Sequence, residues 1–381
     1  MRTVRGMLAV AVTSWVGLVA GGAPAADPVK PARLLVVTVT AGFRHGSIGT
    51  AEPVLEELGR TSGLYHCEYL RVPEGKPAQP RAPKRKEGTT DEEWQKQEVA
   101  FKAEDEKFRA ADALWQKVLQ EQFALAFAPE ALAAFDGVIF CNTTGDLPIP
   151  DLAAFFAWLK TGKAFIGMHA ATDTLKSDDR YRDLVGGIFA GHPWNGNGEH
   201  AFVVHEPGHP LSRMLPERFR WQDEIYQYDT RFDPGTVRVL VSLDMAASYP
   251  REPWHVPVSW IRDYGQGRVF YTNFGHNDVT WKTPMFRQHM QEGMTWALGR
   301  SEAVATPNPE IQAAEYLRSV VAAAASASGA NADELLAKAT AKIARDPGWA
   351  VALRPMLLKL READAAGRSE LYATLRGELD K

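Results

Sequence analysis

The chain has 381 residues, 45% apolar and 24% charged, which fits a soluble globular protein of two domains or of one large domain with additions. Its 43 basic and 47 acidic residues leave a formal net charge of −4 with no basic stripe, which argues against a nucleic-acid partner. Two cysteines, Cys67 and Cys141, are too few for a disulfide scaffold, and both stand in apolar runs where a thiol behaves as a small buried hydrophobe.

Arg2 and Arg5 precede an apolar stretch, Met7 to Ala20, which is followed by small residues up to Ala26. This is the layout of a secretory signal peptide over 1–25, cleaved near Ala25 or Ala26; an uncleaved anchor is the competing reading. The protein is therefore expected to be exported, to the periplasm or the extracellular space, with no membrane span after signal removal.

Arg33–Thr40 reads as a fully buried strand, continuous and rich in β-branched residues. A helix with Val54, Leu55 and Leu58 on one face follows, then a strand over His66–Val72. Pro73–Thr90 is rich in Pro, Lys and Arg, as an exposed linker would be. From Asp91 to about Gln120, Trp94, Phe101, Phe108 and Trp115 recur every seventh residue, one stripe along a long helix. Residues 73–120 thus read as an inserted linker and helix.

The pattern resumes with a strand at Gly137–Cys141 and an amphipathic helix carrying Leu152, Phe155, Phe156 and Leu159. Strands are expected at Lys163–Met168, Ala201–His205, Val237–Leu243, Val256–Arg262 and Arg268–Thr272, and a helix near Phe286–Leu298. Strands alternating with helices predict an α/β domain over 33–300, with a mainly parallel sheet covered on both faces. Beyond Pro307 and Pro309, residues 307–381 are Ala-rich and predict a small helical appendix for packing or interaction, without chemistry, with loose attachment as an open option.

Histidines cluster where strands end. His45 follows the first strand, His169 stops the run Ala164–Met168, and His276 follows Arg268–Thr272. In an open α/β sheet, ligands bind outside the carboxyl ends of the strands, so these imidazoles predict one shared pocket. Ser47 reads as the N-cap of the helix after Arg44 and His45. Gly167-Met168-His169-Ala170-Ala171 has the layout of a nucleophile elbow with histidine in the central place. His192 lies in a Gly-rich loop beside Trp194, and Asp223 and Glu224 are adjacent acids, read as strand residues facing opposite sides. By ligand type His45, His169, His192 and His276, with Asp223 or Glu224, suit a zinc or other transition-metal site, although no tight spacing such as HExxH occurs.

In this setting the chain resembles the ThuA-like, or trehalose-utilisation, family. The matching segments are VTVTAGFRHGSI at 37–48, FDGVIFCNTTGD at 135–146, GKAFIGMHAATDT at 162–174 and YRDLVGGIFAGHP at 181–193. HPLSRMLPERFRWQDEIYQY at 209–228 and VPVSWIRDYGQGRVFYTNFGHNDVTW at 256–281 complete the set. The resemblance implies a flavodoxin-like fold of the class I glutamine-amidotransferase type. It also implies that the catalytic cysteine of true amidotransferases is missing, with His169 in that turn. It associates the chain with catabolism of trehalose and other glycosides beside sugar oxidoreductases that make 3-keto-glycosides, and it makes His45, His169, His192, Asp223, Glu224, Tyr226 and His276 pocket residues.

The expected function is carbohydrate-active: an enzyme, lyase or hydrolase, acting on a glycoside derivative such as a 3-keto-glycoside by acid–base chemistry, with a divalent metal as candidate cofactor. His169 is the expected base, His45 or His276 the enolate stabiliser, and Asp223 or Glu224 the acid or orienting group. Arg44, His192, Trp194, Tyr226, Asp173 and Trp281 are the expected sugar-binding residues. A non-catalytic sugar-binding or accessory protein is the alternative. A hydrolase using Cys141 as nucleophile is a third reading, weakened by the absence of a histidine paired with it by spacing.

Overall fold

A computed structural model describes residues 30–381, so the expected signal peptide lies outside the described residues. The strands are β1 (Ala32–Val37), β2 (Tyr65–Leu70), β3 (Gly137–Cys141), β4 (Ala164–Met168), β5 (Phe189–Trp194), β6 (Glu199–Val204), β7 (Arg218–Gln222), β8 (Ile225–Tyr228), β9 (Arg238–Leu243), β10 (Pro257–Tyr264) and β11 (Gly267–Thr272). Nine of them form one sheet in the order β2-β1-β3-β4-β11-β10-β9-β6-β7, while β5 and β8 pair as a separate antiparallel ribbon. From β2 to β11 every pairing is parallel; from β11 to β7 every pairing is antiparallel. The last strand thus sits in the middle, parallel to β4 on one side and antiparallel to β10 on the other.

The helices are α1 (Ile48–Ser62), α2 (Asp91–Ala126), α3 (Pro129–Ala133), α4 (Leu152–Lys160), α5 (Asp179–Val185), α6 (Asp278–Lys282) and α7 (Pro284–Ala297). Alternate residues of β1 feed separate cores, because successive side chains of a strand point to opposite faces. Leu34 and Val36 join Val54, Leu55, Met290 and Met294 of α1 and α7. Leu35 and Val37 join Trp115, Phe155 and Tyr181 of α2, α4 and α5. Both faces are therefore covered, as the continuous apolar strands require.

The insertion is a helix as expected, with Thr90 and Glu93 forming a reciprocal capping box. Its seven-residue aromatic stripe is only partly used. Trp115, Leu119 and Phe123 are buried, whereas Trp94, Phe101 and Phe108 are half-exposed on the N-terminal half.

After residue 300 come α8 (Pro309–Ser328), α9 (Ala332–Arg345), α10 (Pro347–Glu362) and α11 (Ala365–Leu379), which share an apolar core with Trp254 at its edge. The option of loose attachment fails. Asn308 exchanges two 2.9 Å hydrogen bonds with the backbone of Val239, Gln312 donates to the carbonyls of Pro234 and Val237, and Arg361 donates to that of Tyr228. Among the described residues no helix is long and apolar enough to cross a membrane.

Candidate functional site

Four strand or loop ends deliver the site. His45 follows β1, and His169 stands directly after β4. The turn at His169 holds its backbone at φ +45°, a left-handed conformation that costs a non-glycine residue about 1–3 kcal/mol and persists only where the surroundings enforce it. His276 comes four residues after the end of β11. Glu224 comes from the two-residue break between β7 and β8, not from a strand as expected.

The three imidazoles converge. Ring centroids of His45 and His169 lie 4.8 Å apart, those of His45 and His276 5.2 Å, and those of His169 and His276 5.1 Å. His169 Nδ1 is 2.8 Å from the carbonyl oxygen of Asn273. A carbonyl can only accept, so Nδ1 carries the proton and, in the neutral ring, Nε2 is left with a lone pair. That Nε2 lies 3.2 Å from His276 Nδ1 and 3.6 Å from Glu224 Oε2; His276 Nδ1 lies 3.1 Å from the same carboxylate oxygen. The other carboxylate oxygen, Oε1, faces His192 Nδ1 at 3.5 Å.

Electrostatics follow from this packing. Burial, reinforced by the charges of His169 and His276, pushes His45 down to about 3, so it is neutral near pH 7. Burial works against a charged Glu224, yet the close approach of His169 and His276 holds it well below the usual carboxylate range. Burial opposes a proton on His276 too, but the Glu224 hydrogen bond and charge prevail and raise it. Burial pushes the Tyr226 hydroxyl up, so it stays protonated; its oxygen is 3.3 Å from His45 Nε2.

Several expected residues prove to have other tasks. Asp223 is fully buried and accepts from the backbone N–H of Gly275 and Asn277 (2.8 Å each), from that of Glu224 (3.2 Å) and from the Thr280 hydroxyl (2.9 Å). It positions the His276 segment and is out of substrate reach. Trp281 is wholly buried and its indole N–H donates to the Gly275 carbonyl, so it cannot stack on a sugar. Trp194 is likewise buried, with its N–H on the Pro250 carbonyl. Arg44 is exposed and reaches back to the Thr38 carbonyl. Asp173 ends the short helical turn His169–Asp173 and pairs with Lys176 at 2.6 Å. Ser47 does occupy the N-cap of α1, but its hydroxyl makes no cap hydrogen bond and donates instead to the Gly275 carbonyl at 2.9 Å.

Burial also redistributes the roles. The His169 side chain has no exposed surface, whereas 26% of His276, 11% of Glu224 and 56% of His192 is accessible. A group that takes a proton from a ligand must be within its reach, so His192 and His276 are the accessible imidazoles of the cluster and His169 lies behind them. The aromatic rings beside these histidines are Phe43, 68% exposed with its ring 4.9 Å from that of His45, and Phe189, stacked on His192 at 5.9 Å. Neither Phe43, Phe189 nor Asn273 was expected from the sequence. The metal-type donor set keeps three of the four expected histidines and takes Glu224 as its acid: one ligand atom each from His45, His169, Glu224 and His276 lie within 4.8 Å of one another, and His192 is not among them. Cys141 is fully buried, and burial raises its thiol well above the ordinary value, which leaves no thiolate for catalysis.

The family model described as ThuA, trehalose utilisation, matches residues 33–297. No curated protein matches the chain. Similar solved structures include a ThuA-like protein of Bacteroides uniformis, 19% identical, covering 72% of this chain and 95% of its own, with a TM-score of 0.47. A ThuA-like protein of Parabacteroides merdae is 16% identical, covers 75% of this chain and 99% of its own, and has the same TM-score of 0.47.

Proposed function

Because the chain belongs to the ThuA, or trehalose-utilisation, family, we propose that it is an exported enzyme that cleaves a glycoside derivative, a 3-keto-glycoside, by acid–base elimination or hydrolysis. The observation that carries this reading is the meeting of His45, His169, His276 and Glu224 beyond strand ends, with His192, which lies within β5 and not in a loop as expected, facing Glu224. Export rests on the basic, then apolar, then small-residue N-terminus.

A ketone at C3 acidifies the C2–H bond. A base removes that proton, and the bonding electrons form an enolate whose charge sits on the C3 oxygen. The enolate then re-forms the ketone, the C1–O bond breaks, and a C1=C2 double bond results. The departing oxygen takes a proton, and water added later at C1 completes a net hydrolysis.

His192 suits the base: it is exposed, and Glu224 Oε1 beside Nδ1 orients the ring. His276, whose proton Glu224 favours, suits the donor to the enolate or the leaving oxygen. His169 holds His276 from behind, and Phe43 offers an apolar face to a sugar ring.

The test is incubation of the protein with 3-keto and unoxidised disaccharides, with sugar release as readout. Only the keto form is expected to react, and His192→Ala is expected to lower kcat by about 10²–10⁴-fold. Saturable binding of the keto-sugar without any turnover would leave a sugar-binding protein and overturn the enzymatic reading.

A further inference from the structure

Three atoms at the centre of the site form a near-equilateral triangle. His169 Nε2, His276 Nδ1 and Glu224 Oε2 are separated by 3.2, 3.1 and 3.6 Å. Ligand atoms about 2.05 Å from a tetrahedral zinc ion stand about 3.3 Å from one another, so these three atoms already lie close to three corners of such a shell. A fourth corner is at hand in His45, within 4.8 Å of the others.

The surroundings match the triangle. A metal-bound histidine commonly donates its remaining ring N–H to a carbonyl or carboxylate, which fixes the tautomer and aims the lone pair. His169 does this through Nδ1 to the Asn273 carbonyl. The Asn273 amide is itself braced: Oδ1 accepts from the Tyr226 N–H and Nδ2 donates to the Tyr271 hydroxyl. Asp223 fixes the segment that bears His276. His45 is 4% exposed and its Nδ1 has no hydrogen-bond partner, an orphaned nitrogen in a ring buried at this cluster.

We propose that His45, His169, His276 and Glu224 hold one divalent transition-metal ion, zinc by the chemistry of a three-nitrogen, one-oxygen donor set. Occupancy stands on the geometry alone; its part in catalysis rests on the keto-glycoside reading. There the ion would supply the charge that a proton on His276 otherwise would, and would act as Lewis acid by taking the C3 oxygen as a fifth ligand where the enolate forms. Glu224 then divides its two oxygens, Oε2 toward the ion and Oε1 toward His192.

The test uses the full chain, stripped with a chelator and titrated with Zn²⁺ by calorimetry, with Co²⁺ absorption as a second readout. One Zn²⁺ per chain and a four-coordinate Co²⁺ spectrum are expected. Glu224→Gln and His276→Ala are each expected to weaken Zn²⁺ binding by about tenfold or more, and His192→Ala to leave the stoichiometry unchanged. Wild-type protein that takes up no stoichiometric Zn²⁺ overturns the proposal, as does unchanged affinity in Glu224→Gln. Should a variant fail to fold, the Zn²⁺-dependent rise in wild-type Tm decides, its absence being fatal. Turnover by metal-free protein would sink the ion's catalytic part and spare the keto-glycoside reading; tight Zn²⁺ binding without turnover would sink the keto-glycoside reading, and the ion's catalytic part with it, and leave the metal site standing.

Discussion

Asp223 shows how a fully buried acid can matter without touching substrate. Asp223→Ala would strand the N–H groups of Gly275 and Asn277, each a buried donor worth about 1–3 kcal/mol when left unmade. The expected outcome is a loss of about 3 kcal/mol in urea unfolding together with a fall in kcat, since His276 loses its anchor. Asp223→Asn keeps one accepting oxygen and should recover part of both. Equal activity of Asp223→Ala and wild type would refute the positioning role. The histidines at this scale were legible, because a titratable residue at the end of an apolar run points to a strand-end pocket. Trp194 and Trp281 misled, because sequence does not tell an aromatic ring at a pocket mouth from one buried just beneath it. Phe43 was the available signal: a large apolar residue between Gly42 and Arg44, in a turn where burial is hard to arrange.

Elements divide by how much of their pattern is a burial pattern. Strands β1, β3, β4 and β11 lie near their expected bounds, because a strand covered on both sides is apolar throughout. Strands β5, β7 and β8 escaped detection. Their alternating or short runs, such as RFRWQ in β7, carry charged and polar residues that blur the signal, and β5 holds Pro193. The long α2 helix was visible from its seven-residue aromatic spacing, but spacing says nothing about which half finds a partner. Trp115 is buried with its indole N–H on the Pro73 carbonyl; Trp94 is half-exposed. Trp115→Ala should therefore cost about 3–5 kcal/mol, and Trp94→Ala less than about 1 kcal/mol, in denaturant unfolding. Similar losses for both would mean that the outer half of α2 is packed after all.

At the scale of the molecule, buried and half-buried histidines set the response to acid. Burial pushes His205 down to about 3 and His289 down to about 4, and it lowers His255 as well. Between those values and the ordinary value of about 6.5, the unfolded chain binds protons that the folded chain refuses, so stability falls as pH drops through that window. Glu315, raised to about 7 by burial, holds a proton when folded and opposes one of the three. With His45, also pushed down to about 3, added to the three, the net expectation is a loss of about 4 kcal/mol per pH unit between pH 6 and 5, read from urea midpoints. A flat profile would show that these rings reach water before the fold opens.

The layered α/β class and its parallel half were written in the alternation of strands and helices, but the antiparallel half and the place of β11 were not, because pairing partners far apart in the chain leave no local trace. That place has a consequence of its own. Strand β11 is the seam between the two halves of the sheet: His45 and His169 belong to one side, Glu224 to the other, and His276 to the seam. A chain cut before residue 267 would keep His45, His169, His192 and Glu224 yet lose the strand that brings them face to face. Both half-sheets would then end in raw edges, open to association with other copies. The centre is therefore an all-or-nothing assembly, absent from any N-terminal fragment that stops short of β11 and His276.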